Sequence, residues 1–66
     1  MKFQERFLCE LKNSLLTQKA LAQKLNIDES NITKWKQGKN IPSLEVFYEL
    51  CNIFEVSADY LLGLTD

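Results

Sequence analysis

The chain has 66 residues, 45% of them hydrophobic, with two glycines, one proline and a formal charge of −1. A chain of this size makes one domain, over residues 1–66, and buries only about 60% of the surface its unfolded form exposes, so the core must be efficient; the hydrophobic content with few glycines and prolines fits a compact helical domain, whereas a disordered tail would be poorer in aromatics. No apolar run approaches the ~20 residues of a membrane span, and residues 1–7, with charges at Lys2, Glu5 and Arg6, lack the apolar region of a secretory signal, so a cytoplasmic protein is expected.

Phe3, Phe7, Leu11 and Leu15 recur every four residues, which predicts a first helix from about residue 2 to residue 12 or 13 with one apolar stripe. Cys9 falls opposite that stripe. A second helix, about 17–25, is capped by Thr17, carries Leu21, Ala22 and Leu25 on its apolar edge, and is stopped by Asn26, a residue type that tolerates the left-handed conformation. A third, about 28–37, is capped by Asp28, buries Ile32 and Trp35, and ends at Gly38. The turn between these two is short, so they cross steeply, and Ala22 is small enough to let the backbones approach. Pro42 in the polar loop 39–42 keeps the third helix from continuing. The fourth helix turns Leu44, Phe47, Leu50, Cys51 and Phe54 inward and Glu45, Glu49 and Asn52 outward. A short fifth, 57–62, adds Leu61 and Leu62 and stops at Gly63. The fold class is therefore all-α, a five-helix domain.

Four of the helix starts repeat one device. An apolar residue precedes a polar cap and a second apolar residue follows four positions after it: Leu16-Thr17 with Leu21, Ile27-Asp28 with Ile32, Pro42-Ser43 with Phe47, and Val56-Ser57 with Leu61. This is the hydrophobic staple, and each cap contributes about 1 kcal/mol.

The third helix has two faces. Opposite Ile32 and Trp35 lie Ser30, Thr33, Lys34 and Gln37, with Glu29 at the edge. These are the donors and acceptors that meet base edges in a major groove: Lys reaches guanine O6 and N7, Glu accepts from cytosine N4, and Ser, Thr or Gln adapt to several bases. Trp35 could stack on a base, but its spacing from Ile32 puts it in the core. Charge supports a polyanion partner through its distribution. Residues 17–40 hold Lys19, Lys24, Lys34, Lys36 and Lys39 against Asp28 and Glu29, a local +3; the rest holds Lys2, Arg6 and Lys12 against seven carboxylates, a local −4.

The stretch from Thr17 to Gly38, together with Thr17-Gln18, Leu21-Ala22, Leu25, Ile32, Pro42-Ser43 and the closing run from Ser57 to Gly63, resembles the helix-turn-helix of the phage-repressor family, also called Cro/repressor-like or XRE-like. The resemblance covers roughly three quarters of the chain and implies a lambda-repressor-like fold with a central helix-turn-helix. It also implies sequence-specific binding of double-stranded DNA by a transcriptional regulator, a repressor of phage or mobile-element type. By the same resemblance Gln18 touches the DNA backbone and braces the recognition helix. Lys36, Lys39 and Asn40, around the end of the recognition helix, are further phosphate candidates on position and chemistry. A domain this small contacts few base pairs, so a homodimer on a palindromic operator is expected. The resemblance directs attention for the dimer surface to residues 54–60. Three features depart from the family pattern: Asn26 stands where many members have glycine, Leu11 and Lys36 stand where many pair an arginine with a glutamate, and Glu29 adds an acidic group near the groove.

The rival reading is a protein-binding adaptor or antitoxin-like module that uses the acidic fourth-helix face, Glu45, Glu49 and Glu55. An enzyme is disfavoured, since the chain has no histidine and no glycine-rich phosphate loop, and no catalytic residue is assigned. Two cysteines without histidine make neither a disulfide framework nor a metal set, so no metal site and no cofactor are expected.

Overall fold

Phe3, Phe7 and Leu11 give α1 (Phe3–Ser14) an apolar stripe that is buried along its length, and the other helices wrap around it. The computed structural model describes residues 1–65. Among these the remaining elements are α2 (Gln18–Leu25), α3 (Glu29–Lys36), α4 (Leu44–Phe54) and α5 (Ala58–Leu62). The bounds fall within a residue or two of those expected, because all four expected caps form. Thr17 accepts from the backbone N–H of Ala20, Asp28 from Ser30, Ser43 from Val46 and Ser57 from Tyr60. Leu16, Ile27 and Val56, the apolar residues before three of the caps, pack half-buried against the core, closing those staples, and Pro42 before Ser43 is half-buried.

The core is aromatic at its centre. The rings of Phe3 and Phe7 stack at 5.4 Å, Trp35 meets Phe7 edge-on at 5.6 Å, and Phe47 and Phe54 flank Phe3 and Phe7 at 6.1 and 6.0 Å. Helices α3 and α4 thus meet the two phenylalanines of α1 through their rings, and Leu21 and Leu25 of α2 and Leu61 of α5 are buried in the same core. Centroid separations in this range add to the area term. The chain ends are tied together: the Lys2 amide donates to the Leu62 carbonyl at 3.3 Å, and Arg6 donates to the carbonyls of Tyr60 and Thr65, its guanidinium 4.6 Å from the Tyr60 ring centroid. Burial and the neighbouring Glu10, whose carboxylate accepts from the Tyr60 hydroxyl at 3.3 Å, push the Tyr60 phenol above its ordinary pKa.

Two expectations need correcting. Leu15 does not extend the stripe. α1 ends at Ser14, Leu15 turns into the left-handed region at φ 63, and its side chain is 90% exposed. Ser14 holds that end, its hydroxyl donating to the Leu11 carbonyl and accepting from the Leu16 amide. Leu44 also faces away from the core, 84% exposed, because it is the first helical residue of α4, whose buried face begins at Val46 and Phe47. No helix among the described residues is long and apolar enough to cross a membrane.

Candidate nucleic-acid interface

α2 ends on Asn26, which takes φ 56, and the amides of Asn26 and Ile27 return to the carbonyls of Gln23 and Ala22. Two residues later Asp28 caps α3. Ala22 is buried, and the two helices pack directly against each other. α3 presses Ile32 and Trp35 into the core, which leaves the opposite arc to water. Glu29, Ser30, Thr33, Lys34 and Gln37 are all exposed, along with Lys36 beside them. The helix closes at Gly38, φ +73, where the amides of Gly38 and Lys39 bond back to Trp35 and Lys34. A side chain at this glycine would require strained backbone and would meet the Gln4 carboxamide at 2.7 Å.

Gln18, in the first turn of α2, is placed as a brace. Its Nε2 donates to the Thr33 hydroxyl at 2.7 Å and to the Glu29 carbonyl at 3.2 Å, while its Oε1 accepts from Lys36 Nζ at 3.1 Å. One carboxamide therefore spans the exposed face of α3 from its first residue to its last. Thr33 donates onward to the Glu29 carbonyl at 3.4 Å. With its hydroxyl engaged, Thr33 offers a groove mainly its methyl, a group suited to the thymine methyl. That leaves Ser30, Lys34 and Gln37 as the freer polar groups of the arc. The Ser30 amide, and its hydroxyl in support, hold the Asp28 carboxyl below its ordinary pKa.

Lys39 and Asn40 stand exposed just past the end of α3, and the Asn40 side chain caps its own loop by accepting from the Ile41 amide at 2.8 Å. The candidates thus gather around α3: its own polar arc, Gln18 bonded to it from the start of α2, and the loop after Gly38. Gln4 is the residue that sequence reasoning missed. Its Nε2 donates to the Lys36 carbonyl at 2.8 Å, so α1 braces the C-terminal end of α3. At the positions where the resemblance implies an ion pair between α1 and α3, this chain has Leu11 in the core and Lys36 held by Gln18 and Gln4. Nothing in the local pattern of α1 marks Gln4; its role depends on where α1 crosses α3.

Residues 54–60 offer little free apolar surface. Phe54 and Val56 pack on the core, and Tyr60 is engaged by Arg6 and Glu10. The large exposed apolar side chains stand elsewhere, at Met1, Leu8, Leu15, Ile41, Leu44, Tyr48 and Leu64. Cys9 and Cys51 are both free thiols, and burial raises the pKa of Cys51.

A family model, Helix-turn-helix, matches residues 10–61. The HTH-type transcriptional regulator ImmR of Bacillus subtilis (strain 168) is 40% identical over 47 residues, covering 71% of this chain and 37% of that protein. The HTH-type transcriptional activator BcrR of Enterococcus faecalis is 34% identical over 63 residues, covering 96% of this chain and 31% of that protein. The uncharacterized HTH-type transcriptional regulator YobD of B. subtilis is 37% identical over 51 residues, covering 77% of this chain and 46% of that protein. The chain therefore spans less than half the length of each of these relatives.

Proposed function

The chain belongs to the helix-turn-helix family of DNA-binding domains, and from that premise we propose that it binds double-stranded DNA sequence-specifically as a transcriptional regulator, with α3 in the major groove. The observation that carries this is the split character of α3: an aliphatic and an aromatic anchor on one side, a braced polar arc open to solvent on the other. Ser30, Lys34 and Gln37 meet base edges, Thr33 presents its methyl, and Glu29 accepts from cytosine at the rim of the arc. Lys36, Lys39 and Asn40 take phosphates, as does the backbone N–H of Gln18 in the first turn of α2, and together they fix the register, which is the division of labour that groove readers use.

The protein works as a homodimer on a palindromic operator, with half-sites one helical turn, about 34–36 Å, apart. The sign of regulation is repression. Occupying a duplex is enough to exclude another protein from it, whereas activation needs an additional productive contact. The resemblance to phage repressors favours the same sign, and the action belongs in the cytoplasm with the template.

Selection from a random duplex pool, followed by affinity measurement over a range of salt, tests the reading. The expected result is a symmetric recovered sequence and log K falling with log salt by about 0.9 per phosphate contact. A chain that recovers no sequence and shows no salt-dependent duplex binding would instead be a protein-binding adaptor using Glu45, Glu49 and Glu55. A reporter placed behind the recovered sequence then reads the sign directly.

A further inference from the structure

The C-terminal end of α3 has one carbonyl more than its own turn can satisfy. The amide of Gln37 returns to Thr33, that of Gly38 to Trp35 and that of Lys39 to Lys34. Among the described residues no backbone amide reaches the Lys36 carbonyl, one of the orphan acceptors that every helix end leaves. Its donor comes from α1. Gln4 Nε2 lies 2.8 Å away, from a residue 32 positions earlier in the chain. The same carboxamide covers Gly38, where a Cβ would meet Gln4 Oε1 at 2.7 Å and Cδ at 3.0 Å. Gln4, Gly38, Asn40 and Ile41 also line one hollow at this corner. A single exposed side chain thus touches the last residue of the recognition helix and the glycine on which the chain turns into Lys39 and Asn40.

We propose that Gln4 is a positioning residue for DNA binding: it holds the corner from Gly38 to Asn40 so that the Lys39 ammonium meets a phosphate, and does not itself touch the duplex. This role rests on the duplex-binding reading above and adds α1 to the elements that serve it.

Two features set the role apart from general support of the fold. The packing of α1 is carried by Phe3, Phe7 and Leu11, all buried, whereas the Gln4 side chain lies in water. The corner is otherwise tied only locally. Asn40 turns its side-chain oxygen to the Ile41 amide in its own loop, and the Lys39 amide bonds back to Lys34 within the helix end. Those bonds keep the turn, while the Gln4 clasp fixes where the turn stands relative to α1.

Charge makes the role measurable. Gln4 is neutral, so its loss changes no counterion balance directly. If its loss disengages Lys39, the fall of log K with log salt becomes shallower by about 0.9, the share of one phosphate contact. The affinity lost is then about eightfold at 0.1 M salt and vanishes toward 1 M. A Gln4 that merely supported the fold, or that donated to a phosphate itself, would leave the slope as it was.

Gln4→Met keeps the length of the side chain without its donor, and Gln4→Ala removes the side chain, so one variant guards against misfolding of the other. Both should retain the helical circular dichroism of the parent. On a duplex recovered by selection each should show the shallower slope and weaken on every sequence alike, with base preference unchanged. In a Lys39→Ala background, where the contact is already gone, neither should lower the slope further. Without DNA, the Gly38 and Lys39 amides of both variants should exchange with solvent several-fold faster than in the parent, while those of α4 keep their rates. A slope like the parent's, a slope that falls again in the Lys39→Ala background, or unchanged exchange at the corner overturns the proposal. Each of these is read on a parent that binds; a parent that binds no duplex overturns the regulatory reading, and the role of Gln4 with it.

Discussion

Lys34 has no partner within α3's polar network, in contrast to Lys36, whose ammonium donates to Gln18. Lys34→Ala should cost about 1–3 kcal/mol on the recovered duplex and relax preference at one base pair, measured by competition against single-base variants of the site. Equal weakening on every duplex would make it a phosphate contact instead. Lys39 lies past the helix end among exposed loop residues, so Lys39→Ala should weaken all duplexes alike and lower the salt slope by about one. Asp28 shows how a cap responds to acid. Its carboxyl is held below the ordinary value of 3.8 by hydrogen bonds from Ser30, so the ionised form is favoured in the folded state. The stability this contributes is present above pH ~4 and is lost as the pH falls through the depressed folded value. A carboxyl titration followed by NMR should place its midpoint below that of an unfolded reference, and Asp28→Asn should lose that part of the acid dependence.

Among the elements, three helices end on a non-glycine residue in the left-handed region: Leu15, Asn26 and Glu55. Asn tolerates that conformation best, while Leu and Glu meet the carbonyl crowding that disfavours it. Glu55→Gly should therefore gain up to about 1 kcal/mol, read as a rise in the thermal midpoint, with Asn26→Gly gaining less. These endings also show what the sequence does and does not disclose. Helix starts were legible because Thr17, Asp28, Ser43 and Ser57 combine a side-chain acceptor with flanking apolar residues, and all four caps form. The ends of α1 and α4 carry no comparable chemical mark. A four-residue stripe cannot announce that its backbone stops at Ser14, so the spacing assigns Leu15 to a core that it leaves. The division of α3 into anchor and arc was legible from spacing, because Ile32 and Trp35 lie one turn apart. Gln18 as a brace came from resemblance, and its bond lengths needed coordinates. Gln4 was hidden altogether, since it depends on a contact 32 positions along the chain.

For the whole molecule, the aromatic centre leaves little reserve. Phe7 is fully buried and packs its ring against those of Phe3, Trp35 and Phe54. Phe7→Ala should cost about 3–5 kcal/mol, the same size as the entire stability expected of a domain this small, so the variant should lack cooperative thermal unfolding in circular dichroism. Charge is also organised at this scale. The excess of lysines lies along residues 17–40 and seven of the nine carboxylates lie elsewhere, so a polyanion would turn the domain toward it even though the net charge is slightly negative. The Gln18 clamp bears on what happens after that encounter. Thr33 and Lys36 are already held by it, so little side-chain rearrangement remains when a duplex arrives. Association followed by stopped flow should accordingly be a single phase whose rate climbs in proportion to DNA concentration and slows as ions are added, without the plateau that a rate-limiting refolding step would impose.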